Sequence, residues 1–249
     1  MNGIYRMDIK RGLSSPGFYV GIVLCSLAAV FGMGEMMENI AESIIPEGEI
    51  RFLSAVCIAL RTEAIAYVLP IVCTFAVSGM FIEDMQSRVL YYSILRTTKK
   101  RYYTSKILSC VLVGFLTVLA MILLLLIIFG ILFPPKQAEI QTFQTDSLIY
   151  LCKMAAILCI NSSFYALLGG VISVGSNNRY MAYASPFILY YIISTLLKAY
   201  LSDYPILNPE EWMLLRISSE SQVIVILLAA NLIAGTGYLI MMERRWKHE

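Results

Sequence analysis

Residue types able to do chemistry are scarce in this chain of 249 residues, and their spacing excludes more than it supports. The one histidine, His248, stands beside the last residue and reads as a solvated tail group. Histidine-dependent acid–base catalysis and HExxH zinc chemistry are therefore not expected. The six cysteines (Cys25, Cys57, Cys73, Cys110, Cys152 and Cys159) form no CxxC pair and mostly fall in apolar runs. They read as small packing residues, with no metal site and no disulfide framework in their spacing. No GxxxxGK(S/T) loop occurs, so P-loop ATP hydrolysis is not expected on this chain. Asn161, Ser162, Ser163 and Asn231 lie within long apolar runs. In hydrocarbon such groups either line a polar translocation route or bond one helix to another. The stretch 81–106, FIEDMQSRVLYYSILRTTKKRYYTSK, sets Glu83 and Asp84 ahead of six basic residues, a pattern suited to docking a partner.

Glu210, Glu211 and Arg216 come near the EExxxR motif of intramembrane glutamic proteases. Here the spacing is EExxxxR, which turns the arginine about 100° further round a helix. Those enzymes also need intramembrane histidines, which this chain lacks. The two glutamates read as helix-start carboxylates after Pro209, favoured by the helix dipole.

The elements that must hold these residues follow from composition. The chain is 59% hydrophobic and 14% charged, with a mean hydropathy of +0.73. Soluble domains carry about 25% charged residues, so a soluble fold cannot hide this much apolar surface. Disorder is excluded for the same reason, and a net charge of +2 gives no general attraction to nucleic acid. The reading is an all-α integral membrane protein, one transmembrane domain over 1–249.

A helix needs roughly 20 apolar residues to cross a bilayer. Six stretches qualify: 17–34, 64–82, 107–133, 148–174, 181–200 and 222–242. Their only charges, Lys153 and Lys198, lie near span ends, where a lysine can snorkel. An N-in, C-in arrangement puts 13 of the 19 basic residues and five acidic ones inside, a net of 13 − 5 = +8. The first span is expected to be retained, its small-residue cleavage signal at Ala28-Ala29 being weak. Residues 1–16, with Ile4, Met7 and Ile9 among polar neighbours, suit an amphipathic interfacial helix. Residues 35–63 read as an acidic outer segment, and 201–221 as an outer re-entrant or interfacial segment between spans five and six. Pro70 and Pro186 are kink or helix-start positions.

Segment 81–106 lacks glycine and proline, and one short cytoplasmic helix is expected around 83–95, with Met85, Val89 and Tyr92 on a shared face. Such a helix inserts into a groove on a soluble partner, or rests on anionic membrane lipid. The pattern Phe81 and Glu83, then Leu95-Arg96, Lys99-Lys100-Arg101 and Ser105-Lys106-Ile107-Leu108, resembles the permease subunits of ABC-2 type transporters. In that family an acidic residue ends the second span, a coupling helix follows, and a lysine opens the third span. Ser87 and Ser105 stand where the family often has glycine.

The resemblance implies a permease of a bacterial inner (plasma) membrane exporter, paired with a second permease copy or paralogue and with separate ABC ATPase subunits. ATP and Mg would be bound by those subunits, and no cofactor by this chain. Glu83, Asp84, Met85, Arg88, Val89 and Tyr92 would meet the ATPase, while Asn161, Ser162, Ser163 and Asn231 would line the route. The short outer loops suggest a peptide or an amphipathic small molecule as cargo. The competing readings are a non-transporting scaffold or immunity-type protein, and a secondary carrier. The last is disfavoured, because no Asp, Glu or His is central in any span.

Overall fold

A computed structural model describes residues 3–41, 52–132, 145–201, 204–215 and 219–247. All regular structure among them is helical. The elements are α1 (Gly3–Leu13), α2 (Pro16–Ala41), α3 (Phe52–Leu60), α4 (Glu63–Val72), α5 (Met80–Gln86), α6 (Val89–Arg96), α7 (Lys99–Leu132), α8 (Thr145–Ser176), α9 (Met181–Tyr200), α10 (Glu211–Leu214) and α11 (Glu220–Lys247), with one 3-10 turn at Pro205–Leu207.

Four of these are long and apolar enough to cross a membrane: Pro16–Gly34 of α2, Lys99–Leu132 of α7, Leu148–Ser176 of α8 and Glu220–Lys247 of α11. This marks a membrane protein. The expected span 181–200 forms one helix, α9, but Ser185, Pro186, Ser194, Lys198 and four tyrosines keep it out of that set. The expected span 64–82 is not one helix. Pro70 sits inside α4, removing a backbone donor and crowding the carbonyl one turn back. Beyond Val72 the ladder tightens: Thr74 N–H bonds to the Ile71 carbonyl and Phe75 N–H to the Val72 carbonyl. Turns continue until α5 begins at Met80. Side chains bind this interruption to α8. Ser78 Oγ donates to the Ala166 carbonyl (2.8 Å), and Ser173 Oγ donates to the Ser78 carbonyl (3.0 Å).

Helix α8 is the most buried of the four and packs on α7, α9 and α11. Two apolar cores lie along it. One joins Cys25 and Ala29 of α2, Ala55 to Leu60 of α3, Ile65 to Cys73, and Val118 to Phe129 of α7. The other joins Phe18, residues 76–85, Leu90, Tyr102 to Val113, Val174 and the end of α11.

Helix α3 is not anticipated by the sequence, where 35–63 reads as an acidic connector. Its nine residues, FLSAVCIAL, are too few to cross a bilayer, so length alone hides them; Ala55, Val56, Ala59 and Leu60 are fully buried. Within 201–221, Met213, Leu214 and Leu215 are buried and Trp212 Nε1 donates to the Ile206 carbonyl (2.7 Å). Arg216 and His248 lie outside the described residues.

Candidate functional site

The most concentrated polar chemistry lies where α1, α5 and the start of α7 converge. On α7, Tyr102, Ser105, Lys106 and Ser109 follow helical spacing and share one buried face. On α1, Asp8 and Gly12 are one turn apart and both buried. Gly12 explains why α1 lies so close: a Cβ there would stand 2.8 Å from Val113 and 2.9 Å from Val77. Gly17, at the head of α2, touches the interrupted segment in the same way, since a Cβ there would stand 2.5 Å from the Phe75 carbonyl oxygen.

Lys106 Nζ, 1% exposed, donates to Asp8 Oδ1 (2.8 Å) and to Asp84 Oδ2 (2.6 Å). Both carboxylates are as deeply buried as the lysine. Ser105 Oγ donates to the second oxygen of Asp8 (2.5 Å), and Tyr102 OH donates to Asp84 Oδ2 (2.6 Å). Arg11 completes the group, reaching Asp84 Oδ1 with one guanidinium nitrogen and Glu83 Oε2 (2.9 Å) with the other. Arg179, from the α8–α9 junction, stands 4.0 Å from the other oxygen of Glu83.

An isolated ion in an apolar interior is costly, and burial is tolerated here because each charge has partners of the opposite sign with good geometry. Asp8 and Asp84 are balanced by Lys106 and Arg11. Burial alone would raise the Asp84 pKa, but Lys106, the Tyr102 hydroxyl and Arg11 outweigh it and hold the carboxyl below its ordinary value. At Arg11 burial lowers the pKa, and Asp84, Glu83 and Asp8 together more than reverse that. The ion pairs and hydrogen bonds of the cluster tie three helices together, α1 through Asp8 and Arg11, α5 through Asp84, and α7 through Tyr102, Ser105 and Lys106. Among the described residues, no group of three His, Cys, Asp or Glu side chains is placed to hold a metal.

The sequence pattern groups Glu83, Asp84, Met85, Arg88, Val89 and Tyr92 as one helical surface, and the structure divides them. The single helix expected over 83–95 is broken into α5 and α6. Asp84 and Met85 are buried in α5, while Arg88, Val89 and Tyr92 are exposed. Arg88 adopts a left-handed conformation (φ 58°), and its N–H bonds to the Met85 carbonyl as α5 ends. Ser87 Oγ back-bonds to the Glu83 carbonyl (2.7 Å). The reason is geometric. On one straight helix Asp84 and Leu90 would lie about 120° apart, so burying both needs a turn between them. Met85 therefore does not share a face with Val89 and Tyr92.

Helix α6 stands proud of the bundle, with Tyr92 70% and Leu95 84% exposed, and is held through Leu90 and Tyr91. Tyr91 packs on Trp246 of α11 (5.4 Å between rings), and Lys99 Nζ lies 4.8 Å from the same ring.

Of the four polar residues inside the apolar runs, three bond between helices. Ser162 Oγ donates to the Gly114 carbonyl (2.8 Å) and Ser163 Oγ to the Val111 carbonyl (3.0 Å), joining α8 to α7. Asn231 Nδ2 donates to the Ile160 carbonyl (3.1 Å), joining α11 to α8. Asn161 is fully buried, and neither atom of its amide has a hydrogen-bond partner.

Sequence reasoning reaches Lys106 as the lysine opening an apolar run, but counts Asp8 and Arg11 only as loop charges and gives Tyr102 no role. A findable signal is the polar face Tyr102, Ser105, Lys106, Ser109 entering a long apolar helix, which requires an acidic partner. No protein-family model, curated protein or solved structure matches this chain.

Proposed function

We propose that this chain is the permease subunit of an ATP-driven ABC exporter, acting with a second permease copy or paralogue and with separate ATPase subunits. It passes through a bacterial inner membrane six times with both ends inside, the interrupted α4–α5 segment and α9 serving as the second and fifth spans. The segment between α9 and α11 then forms the outer re-entrant element. The observation that carries the reading is the exposed apolar face of α6, Tyr92 and Leu95, on a short helix that follows, after one turn at Arg88, the helix bearing Asp84 of the buried ion cluster. Helix-in-groove docking requires such exposed anchors at one-turn spacing. Helix α6 packs on α5 and α7, and the cluster ties α5 to α1 and α7, so a push on α6 by a closing ATPase is passed to helices that are fastened to one another. The cargo class is a peptide or amphipathic small molecule, and Asn161, with its unpartnered buried amide, is the residue offered first as route lining.

Co-expression with an ABC ATPase encoded beside this chain tests the reading. A stable complex is expected, with ATP hydrolysis altered by the membrane subunit. The Tyr92→Ala/Leu95→Ala variant is expected to lose complex yield and that effect on hydrolysis by tenfold or more, with membrane insertion and melting temperature unchanged. Wild-type complex yield and hydrolysis in the double variant would sink the coupling assignment.

A further inference from the structure

On the side of α1 turned away from the ion cluster lies an open groove of about 670 Å³ between α1 and α7. Tyr5, Ile9 and Leu13 repeat every four residues along one wall, and Leu108 of α7 forms the other. The lining is mostly apolar, and Arg6 and Lys10, one turn apart, stand at its rim. Both cations are exposed, and among the described residues neither forms an ion pair, in contrast to Arg11 on the same helix. Tyr5 OH and Thr104 Oγ1 are hydrogen-bonded (3.0 Å) and close one end of the groove. Beyond Leu108 the exposed apolar surface of α7 continues through Leu112.

We infer that this groove is a binding site for one anionic membrane phospholipid, with its headgroup phosphate between Arg6 and Lys10 and an acyl chain along Ile9, Leu13, Leu108 and Leu112. The inference uses the inner-surface position of α1 in the proposed topology but not the exporter assignment. Charge complementarity selects the occupant. Two uncompensated cations at a membrane surface attract an anionic headgroup, and long basic side chains lay their stems along apolar surface while their heads reach phosphate. A soluble phosphate would leave the apolar wall uncovered, whereas a lipid covers both parts of the groove. The volume falls in the range of sites that hold small ligands, roughly 300–1,000 Å³. The consequence is that lipid contacts the outer flank of the helix whose inner flank carries Asp8 and Arg11, so anionic lipid would reinforce the docking of α1.

The test is native mass spectrometry of the full chain in detergent, titrated with phosphatidylglycerol or with phosphatidylcholine of the same acyl chains. One retained phosphatidylglycerol, at least tenfold tighter than phosphatidylcholine, is expected. Arg6→Gln/Lys10→Gln should remove most of that preference, leaving the two lipids within about threefold of each other, given the contribution of each basic residue at a charged surface. Both residues are exposed, so folding is expected to persist, and circular dichroism checks it. Arg96→Gln/Lys100→Gln, which removes two basic residues elsewhere, should leave the preference intact. Equal retention of the two lipids, an unchanged preference in the Arg6/Lys10 variant, or displacement by inorganic phosphate alone would each overturn the site. Because no ATPase is present, these outcomes are independent of the exporter assignment.

Discussion

Charge is handled differently at two regions of the helical bundle. Where α1, α5 and α7 meet, Lys106 is 1% exposed and lies between two equally buried carboxylates. At the start of α8, Lys153 is 54% exposed and meets Glu220 of α11 at 2.9 Å. Lys198 and Glu210 form a third pair of mixed character, the lysine half exposed and the glutamate buried. An exposed pair contributes little, because water solvates either partner when the other is lost. A buried cluster specifies geometry: its members cannot be separated without leaving a charge in an apolar surrounding. The two regions therefore differ in what they do for the chain. The first fixes how α1, α5 and α7 are arranged, whereas the second leaves α8 and α11 to be held by apolar packing and by Asn231.

The comparison is most directly broken at Lys106. Lys106→Met leaves Asp8 buried without its cation and Asp84 with Arg11 alone, and a loss of about 3–5 kcal/mol of stability is expected, read as a lower melting temperature of the purified protein. Replacing all three charges together, as Asp8→Leu, Asp84→Leu and Lys106→Met, should recover part of that loss, since no buried charge is left unpaired while the Tyr102 and Ser105 hydroxyls lose their acceptors. An intermediate effect is expected from acid. The folded-state pKa of Asp84 is below its unfolded value of about 3.9, so the unfolded chain binds the proton more readily. The stability Asp84 contributes is present above that value and is lost as pH falls through the lower folded one. Melting temperature should drop on acidification more steeply for the wild type than for Asp84→Asn; parallel curves would contradict the pairing. Smallest of all, Lys153→Gln should change stability by less than about 1 kcal/mol. A larger loss would show that the exposed pair is not equivalent to solvated charge.

The sequence is informative where local composition determines structure. Apolar runs mark α2, α7, α8, α9 and α11, because each is long enough for hydropathy to register. The interruption after Pro70 is foreshadowed by a proline, but its extent depends on Ser78 and Ser173 reaching across to another helix. Nothing local announces the break at Arg88, which lacks the glycine that normally takes a left-handed conformation. There tertiary burial of Asp84 and Leu90 overrides helix propensity. The ion cluster is half legible. Lys106 is conspicuous at the head of an apolar helix, whereas its partner Asp8 lies 98 residues away, and one sequence carries no mark of that pairing.

The interruption between α4 and α5 also falls at the border between the two apolar cores: Ile65 to Cys73 pack in one, Ala76 to Met85 in the other. Helix α2 crosses the same border, with Phe18 in one core and Cys25 in the other. Helix α2 stays regular across that border, whereas between α4 and α5 the backbone changes from helix to turns where the packing changes. What holds residues 73–79 in place is side chains in place of a helical ladder: through Ser78 and Ser173 the border between the two cores is fastened to α8.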